Sequence, residues 1–448
     1  MVKKINILVL LLLLFVSISA VSAFEDSNNT LTTSDKITTA VSDDNIQSAT
    51  DSSGNSSNDV LSAKSYTVTS GNYGNYFGRD GKVLSNVKAG DTIKLDGSFS
   101  NVNFIFDKKV TVEGTSSNLL SGCTLKLLSS ASGSTVLKLN IRNSQQYAYG
   151  ICLDGADNCI VKNCIISNKG QAAYPICIGN GANNNQILNN NLKAHGVTYS
   201  HGTRSTTPLV VFGSNNNYIA NNIISCDDAN GIYLSSYEAG PFTGGESNYN
   251  TIFNNTITYN VGPTSWSYGI QIMGSHNVVD SNTVIGAYRG ISSSTEYYGG
   301  NTFINNRVIN LTGFDFDTGK FTGGDNAIVA TYNSVVRNNV VENSIIMGSG
   351  SAISALDGSI VENNRVYVVN SSGKGISAFG SDVVVRNNII STVSGAAIFQ
   401  QSASTGLIVD SNKITSRGGI GILIKKVSNK ERPSNITIIK NNVSTSAR

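Results

Sequence analysis

The sequence is poor in proline, methionine, tryptophan and charge. Its 448 residues include 5 Pro, 3 Met, 1 Trp and 3 His, and charged residues make up 14% of the chain. With a net charge of +3, it has neither the basic stripe of a nucleic-acid-binding domain nor the charged heptads of a coiled coil. Apolar residues make up 40% of the chain but form no long run after residue 16, which argues against a transmembrane bundle.

The first residues have the pattern of a secretory signal peptide. Lys3 and Lys4 precede an apolar run over residues 5–16, and a Val-Ser-Ala tripeptide follows at 21–23. The run is short for a bilayer span. We therefore predict a signal peptide over 1–23, no transmembrane segment after its removal, and a secreted or cell-surface protein.

Residues 24–64 have a separate composition. Ser, Thr, Asp and Asn occupy 26 of these 41 positions, and seven acidic residues face only two lysines. Such a segment buries too little apolar surface to offset the entropy of ordering its chain. It predicts a disordered spacer.

Asparagine, in contrast, is abundant, with 56 residues, and from about residue 91 it recurs within a repeated pattern. The pattern is an apolar residue, two residues, an Asn, one residue and a second apolar residue. Its spacing of 24 to 33 residues matches one turn of a repeat fold. The anchoring asparagines are Asn163, Asn190, Asn222, Asn255, Asn282, Asn306, Asn339, Asn364, Asn388, Asn412 and Asn442.

A second repeated unit is Gly-Ile followed by alternating apolar residues, as at Gly231-Ile232 and Gly375-Ile376. Both units have the period of two that is typical of strands. We predict an all-β, right-handed parallel β-helix of roughly 13 rungs, in which the Asn side chains form an internal hydrogen-bonded ladder. Residues 65–135 would hold the amino-terminal cap and first rungs, and 136–448 the remaining rungs.

These units resemble the right-handed β-helix repeats shared by carbohydrate-binding and sugar-hydrolysing proteins. With the leader and the spacer, the chain is similar to adhesin-like surface proteins of methanogenic archaea. The resemblance implies display at the cell surface and contact with glycans. It leaves the reaction open, because this repeat serves lyases, hydrolases, epimerases and binding proteins alike.

Four rungs carry insertions, at 194–207, 235–250, 258–268 and 310–325, and loops on a rigid scaffold often carry binding residues. Of the 18 tyrosines, 13 fall within 147–298. Aromatic rings present flat faces to sugars. The predicted ligand-binding residues are Tyr199, Tyr233, Tyr237, Phe242, Tyr249, Trp266, Tyr268, Tyr297 and Tyr298.

Cleavage of a glycan would require acids or a metal with a base. The pair Asp227-Asp228 resembles the Asp-Asp motif of polygalacturonase-type hydrolases, although the accompanying Asn-x-Asp and Gly-His-Gly elements are absent. For a lyase, Asp227, Asp228 and Glu238 would hold Ca²⁺ while Arg204 or Arg289 acted as the base. A second acidic loop contains Asp315, Asp317 and Asp325. A binding protein would require no cofactor.

The six cysteines match no zinc motif, and the three histidines lack a metal-binding spacing. Cys152 and Cys177 occupy equivalent strand positions, so the sequence leaves open a disulfide or two stacked free thiols. Glycosylation acceptors are predicted at Asn28, Asn55 and Asn310.

The sequence therefore predicts an exported β-helix that binds glycans or cell-surface polymers through its aromatic loops. Two alternatives stay open: a polysaccharide lyase or glycoside hydrolase that uses the same groove, and a structural spacer without a ligand. Because Arg448 follows the last Asn motif closely, a further expectation is an end-to-end or surface-protein partner, a swapped neighbour or a fragmentary chain.

Overall fold

The computed structural model describes residues 62–446 except 171, 196–205, 228, 239, 261–266, 295–297, 316–319, 347–349, 370–372, 401–402 and 427–432. The signal peptide and most of the spacer predicted above lie outside the described residues. Within them, the chain passes repeatedly through three parallel sheets, which we name A, B and C in the order of each passage. One passage is called a rung. The described residues contain about 13 such rungs, as predicted.

Sheet A has 15 parallel strands among the described residues. They are Ser65–Val68, Thr92–Leu95, Thr111–Gly114, Thr135–Leu137, Ile160–Lys162, Gln186–Leu188, Tyr218–Ala220, Thr251–Phe253, Val278–Asp280, Thr302–Ile304, Val335–Arg337, Ile360–Glu362, Val384–Arg386, Ile408–Asp410 and Thr437–Ile439.

Sheet B has 14 parallel strands in the same part of the chain. They are Ser98–Ser100, Leu119–Ser121, Asn140–Asn143, Ile165–Asn168, Asn191–Ala194, Ile223–Cys226, Thr256–Tyr259, Thr283–Ile285, Arg307–Ile309, Val340–Ser344, Arg365–Val368, Ile389–Thr392, Lys413–Ser416 and Asn442–Thr445.

Sheet C has 13 described parallel strands. They are Asn103–Phe106, Thr124–Leu128, Tyr149–Asp154, Tyr174–Gly179, Leu209–Phe212, Ile232–Ser235, Tyr268–Ile272, Arg289–Ser293, Ile328–Ala330, Ser351–Ala355, Lys374–Ala378, Ile398–Gln400 and Ile422–Ile424. A separate antiparallel hairpin joins Thr312–Asp315 to Lys320–Gly323, and two 3-10 helices span Tyr73–Asn75 and Ser129–Ala131.

The core is built from side chains that point inwards at alternate strand positions. In sheet C the strand register stacks one apolar residue of each rung on that of the next. This arrangement buries apolar surface that no rung could bury alone. One buried column contains Ile151, Ile176, Leu209, Ile232, Ile270, Ile291, Ile328, Ile353, Ile376 and Ile398.

Most corners from sheet A to sheet B have two residues with different roles. At Asn305-Asn306, the first residue takes the left-handed backbone (φ 55°) that asparagine tolerates, and the second is buried. Each buried Asn donates from Nδ2 to Oδ1 of the equivalent Asn one rung later, over 2.9–3.1 Å. This asparagine column contains Asn190, Asn222, Asn255, Asn282, Asn306, Asn339, Asn364, Asn388, Asn412 and Asn441.

Two of the predicted ladder positions are wrong by one residue. Asn163 has φ 57° and is the left-handed residue of its corner, so Cys164 takes the buried position and donates its N–H to Asn190. At the other end, Lys440 is the left-handed residue and Asn441 continues the column, while Asn442 begins an exposed strand.

A second, shorter column, which the sequence patterns missed, lies at the corner from sheet C to sheet A. Asn217, Asn250 and Asn277 each donate from Nδ2 to the next amide oxygen over 3.1–3.2 Å. At the start of the column, the backbone N–H of Asn185 donates to Oδ1 of Asn217. At its end, the backbone N–H of Asn301 donates to the hydroxyl oxygen of Ser334. The buried corners are therefore polar on both flanks of sheet A.

The predicted amino-terminal region, 65–135, already contains strands of all three sheets. Between the first two strands of sheet A, the chain packs Phe77, Val83 and Val87 against the core. Backbone hydrogen bonds then join residues 81–83 to Ile105 in the first strand of sheet C. This segment covers an edge that would otherwise present unpaired backbone groups. No helix among the described residues is long and apolar enough to span a bilayer.

All six cysteines are free and buried. Cys152 and Cys177 are partners in the strand register on the outer face of sheet C, where they pack with Val210, Phe212 and Phe242. The structure therefore shows stacked thiols at the position where the sequence left a disulfide open.

Glu362 lies on the outer face of sheet A between two arginines. Arg337 Nε donates to its Oε1 over 2.5 Å, and Arg386 Nε donates to its Oε2 over 2.6 Å. Burial opposes ionisation of this carboxyl, but the two guanidinium contacts outweigh that effect and lower the pKa of Glu362 below its ordinary value of 4.5.

Lowering the pH should therefore reduce the stability of the β-helix, in part because Glu362 becomes protonated. A carboxyl with a lowered folded-state pKa stabilises the fold above its unfolded pKa, and that contribution is lost as the pH falls through the folded pKa. We expect the urea midpoint of the wild type to fall more steeply than that of Glu362→Gln between about pH 5 and about pH 3. Glu342→Gln, which removes the acid of an exposed pair with Arg307, is the matched control. Parallel pH curves for wild type and Glu362→Gln would contradict the assignment.

Candidate functional site on the outer face of sheet C

The longest connections border the outer face of sheet C. The connections from sheet B to sheet C include 195–208, 260–267 and 310–327. The longest connection from sheet C to sheet A is 236–250. Connections from sheet A to sheet B are in most rungs only two residues long. The outer face of sheet C is therefore the face of the rod with long connections along both edges.

The residue before each Gly-Ile unit lies on this outer face. A Cβ added to these glycines would meet core side chains, for example Ile257 at 2.6 Å from Gly231 and Val284 at 2.4 Å from Gly269. The glycine and the Ile after it therefore both lie against the core, and the side chain before them packs on the outer face, as Tyr149 does beside Cys152 and Cys177. We name the residues before the Gly-Ile units the outer row: Tyr149, Asn230, Tyr268, Arg289, Lys374 and Ile420.

Amide groups connect the outer row to the strand beside it. Asn230 Nδ2 donates to Gln271 Oε1 over 2.7 Å, and Asn230 Oδ1 accepts from the backbone N–H of Tyr268 over 3.2 Å. Gln271 lies beside Tyr233 and Ser292 in the register of sheet C. This part of the face therefore carries fixed hydrogen-bonding groups next to aromatic rings.

Arg289 is the most constrained charge on this face. Its Nε donates to Asp325 Oδ2 over 2.8 Å, and its Nη1 donates to the hydroxyl of Tyr268. Its guanidinium carbon lies 4.9 Å from the ring centroid of Tyr268 and 5.7 Å from that of Tyr288. Burial disfavours the cation, but Tyr268 and Asp325 outweigh that effect and raise the pKa of Arg289. Arg289 therefore remains protonated and does not fit the predicted role of a base.

Lys374 lies three rungs beyond Arg289 in the outer row. Its ammonium nitrogen lies 4.9 Å from the centroid of the Phe399 ring. Burial lowers the pKa of Lys374, and the nearby Asp325 carboxylate acts in the opposite direction. Asp325 thus contacts Arg289 and also acts electrostatically on Lys374.

The sequence model of the right-handed β-helix region matches residues 126–308 and 326–447, more than half of the chain. This chain belongs to the right-handed β-helix family. None of the curated proteins compared with this β-helix matches it.

Several solved structures are similar to this β-helix at low identity. A catalytic domain of GH87 α-1,3-glucanase in complex with tetrasaccharides is 15% identical, with 80% of this chain and 65% of that chain covered and a TM-score of 0.47. The PL6 family polysaccharide lyase from Pseudopedobacter saltans is 16% identical over 84% and 92%, with a TM-score of 0.44. A mutant tailspike protein of E. coli bacteriophage HK620 in complex with a hexasaccharide is 12% identical over 85% and 72%, with a TM-score of 0.40. This β-helix spans about 65% of the length of the glucanase domain, and the likeness concerns the fold alone.

The predicted aromatic residues do not form one surface in this β-helix. Tyr233 and Tyr268 lie on the outer face of sheet C, and Tyr237, 50% exposed, follows in the 236–250 connection. Tyr249 lies at the corner that enters sheet A, where its ring stacks on His276 at 5.2 Å. Tyr298 is buried. Tyr199, Trp266 and Tyr297 lie outside the described residues.

Phe242 does not have the solvent-facing position predicted for a ligand contact. Its side chain is 2% exposed and stacks on Phe212 at a centroid distance of 5.3 Å. A Cβ on Gly179 would lie 2.3 Å from this ring. Phe242 therefore covers the apolar outer patch that contains Cys152 and Cys177.

The predicted acidic residues are also separated. Asp227 Oδ2 lies 3.2 Å from His195 Nδ1, while Asp228, Arg204 and Asp317 lie outside the described residues. Asp227 precedes the strand Ile232–Ser235 and Glu238 follows it, so Asp227 and Glu238 lie at opposite edges of sheet C. The described residues contain no group of three His, Cys, Asp or Glu side chains that could hold a metal ion. Asp325 pairs with Arg289, and Asp315 ends a hairpin strand.

Of the predicted glycosylation acceptors, Asn310 is exposed at the end of a sheet B strand, and Asn28 and Asn55 lie outside the described residues. Glycosylation of Asn310 stays a prediction.

Sequence reasoning missed Asn230, Gln271, Lys374 and the role of Asp325. A usable signal was present, because Asn230 and Lys374 directly precede a Gly-Ile unit and Gln271 directly follows one. Asp325 carried no such signal, since 36 residues and a hairpin separate it from Arg289.

Proposed function

We propose that this protein is an exported, adhesin-like β-helix that binds a polysaccharide along the outer face of sheet C. The observation that carries the proposal is the outer row, in which the amide of Asn230, the ring of Tyr268 and the cation of Arg289 lie on three successive rungs. The rung spacing of about 4.8 Å is close to the length of one sugar ring. A polymer that lies along the rod would therefore meet one of these three side chains at each of three neighbouring rings.

The chemistry of the row suits sugars. Tyr268 and Tyr233 are partly exposed rings of the kind that sugars stack on, and next to them lie the amides of Asn230 and Gln271, which bond each other. The connections along both edges would limit the lateral movement of a bound chain. The leader pattern at 1–23 supports export, and the low charge of the chain favours a surface role over binding nucleic acid.

Tyr268→Ala is expected to weaken retention on a polysaccharide column about tenfold, because it removes a stacking face and a partner of Arg289. The test uses the full chain against a polysaccharide panel, with bound protein and released sugar measured on the same samples. Tyr218→Ala is the matched control, since Tyr218 is 37% exposed on the outer face of sheet A. Equal losses for both variants, or no retention of wild type on any polymer, would refute the proposal and favour a spacer.

A second function, cleavage by a lyase, is favoured by one observation. Lys374 lies in the same row as Arg289 and has a pKa lowered by burial, which increases the fraction in the neutral form that can accept a proton. Release of unsaturated products by wild type and its loss in Lys374→Ala would establish this function. Hydrolysis by paired carboxylates has less support, because the described partner of Asp227 is His195.

A further inference from the structure

The outer face of sheet A carries two rows of side chains over its last six described strands. Each of these strands has three residues, and the middle one points towards the core, so the residues on either side of it point outwards. The strand register aligns these outward residues from rung to rung. The β-branched row contains Thr302, Val335, Ile360, Val384, Ile408 and Thr437, and the charged row contains Ile304, Arg337, Glu362, Arg386, Asp410 and Ile439.

Both rows are self-complementary about the midpoint between the third and the fourth of these strands. In the β-branched row, reversal of the order places threonine on threonine and pairs valine with isoleucine at the other four positions. In the charged row, reversal exchanges Arg337 with Asp410 and Glu362 with Arg386, so each charge meets one of opposite sign. The two ends of this row are both isoleucine.

This pattern matches the symmetry of a face-to-face homodimer. Two identical faces pack through a two-fold axis that lies between them. An axis parallel to the strands makes the two rods antiparallel and keeps each row over the same row of the second copy. Arg337 then lies opposite Asp410 of the second copy. An axis parallel to the rod would instead place the β-branched row over the charged row, where the side chains do not match.

The charged groups of this face are available to a second copy. Arg337 and Arg386 each use Nε to bind Glu362, and their side chains remain 48% and 46% exposed. These three side chains carry one net positive charge. Asp410 accepts from the hydroxyl of Ser411 over 2.8 Å and forms no ion pair within the part of the chain that the structure describes. A second copy would give this carboxylate a guanidinium partner.

The face is accessible but small. In each of these six rungs, the connection from sheet A to sheet B is two residues long, so no long insertion borders that edge. Six strands at a spacing of about 4.8 Å, each three residues long, cover roughly 29 by 10 Å. A stable interface buries about 800 Å² on each partner. The face therefore suits a weak, reversible dimer with a dissociation constant of about 10–100 µM.

We propose that this face of sheet A binds a second copy of the chain, with the two rods antiparallel and the two-fold axis between the strands Ile360–Glu362 and Val384–Arg386. The inference goes beyond the proposed function and does not depend on it. Because sheet C is a different face of the rod, the dimer would present two polymer-binding faces. Two linked faces would strengthen attachment to a long polymer without any new contact.

The experiment is sedimentation velocity of the full chain, without polysaccharide, from about 1 to about 200 µM. The sedimentation coefficient of wild type should rise with concentration from that of a monomer towards that of a dimer. Arg337→Asp and Asp410→Arg should each raise the dissociation constant at least about tenfold, because each puts like charges opposite each other. Combined in one chain, they should recover most of the lost affinity. Positions 337 and 410 lie three rungs apart in one chain, about 14 Å, so this recovery requires contact between copies.

A second test uses the β-branched row near the axis. Val384→Lys should keep the protein monomeric over the whole concentration range, because it places a charge against Ile360 of the second copy. Val340→Lys is the matched control, since Val340 begins a strand of sheet B and points outwards there. It should leave the dissociation constant unchanged. A monomeric wild type at about 200 µM, a dimer that persists in Val384→Lys, or no recovery in the double variant would overturn the inference. None of these outcomes bears on polysaccharide binding.

Discussion

Asn306→Ala is expected to lower the free energy of unfolding by about 3–5 kcal/mol. Asn306 Nδ2 donates to Val279 O over 2.8 Å and to Asn339 Oδ1 over 3.0 Å. Its Oδ1 accepts from both the backbone N–H and the Nδ2 of Asn282. Alanine would leave several of these buried groups without a partner, and each such loss costs about 1–3 kcal/mol. Equilibrium urea denaturation measures the change.

The control for this prediction is the preceding residue. Asn305 has a left-handed backbone, and its amide makes one exposed hydrogen bond, to Asp280. Asn305→Gly preserves the backbone conformation and should cost less than about 1 kcal/mol. If Asn305→Gly and Asn306→Ala destabilised the protein equally, the buried hydrogen bonds of the column would not explain the recurrence of asparagine.

Gly375→Ala is expected to destabilise the protein by about 3 kcal/mol. A Cβ at this position would lie 2.4 Å from Ala397 O and 2.6 Å from Ile390 Cγ2. The carbonyl belongs to the neighbouring rung and the methyl to the core, so neither can move without disturbing the stack. Thermal denaturation of the variant should show the loss directly.

Gly74→Ala provides the comparison for Gly375→Ala. Gly74 lies in a 3-10 helix, and no atom lies within 4 Å of the Cβ it would gain. Its substitution should change the melting temperature little. A Gly375→Ala protein as stable as Gly74→Ala would show that the Gly-Ile unit is not required by packing.

The fold could be predicted because the two features that stabilise it, the apolar core and the buried corner, produce a recognisable pattern in the sequence of most rungs. Alternating apolar residues and a corner asparagine recur every 24 to 33 residues, so comparison over many rungs corrects local ambiguity. The errors at Asn163 and Asn442 arose where a corner departs from Asn-Asn. Asparagine suits both the left-handed and the buried position, so neither the lone Asn163 nor the pair Asn441-Asn442, which lies one residue later than in other corners, shows which role each residue takes.

The site could be predicted only in part. The density of tyrosines indicated the rungs that include Tyr233, Tyr268 and Arg289, but not the face on which each ring lies. Phe242 is an example, because its burial depends on apolar residues of other rungs, which the loop sequence does not reveal. The contact between Arg289 and Asp325 depends on the path of a long insertion, for which the repeat provides no register.

The central claim is that the outer face of sheet C binds the polymer, and oxidative footprinting of tyrosines with and without bound polysaccharide tests it most directly. The claim predicts protection of Tyr233 and Tyr268, while Tyr218 and Tyr367 on the other two sheets continue to react. Unchanged labelling of Tyr268 in the presence of a retained polymer, or protection centred on Tyr218 or Tyr367, would contradict it.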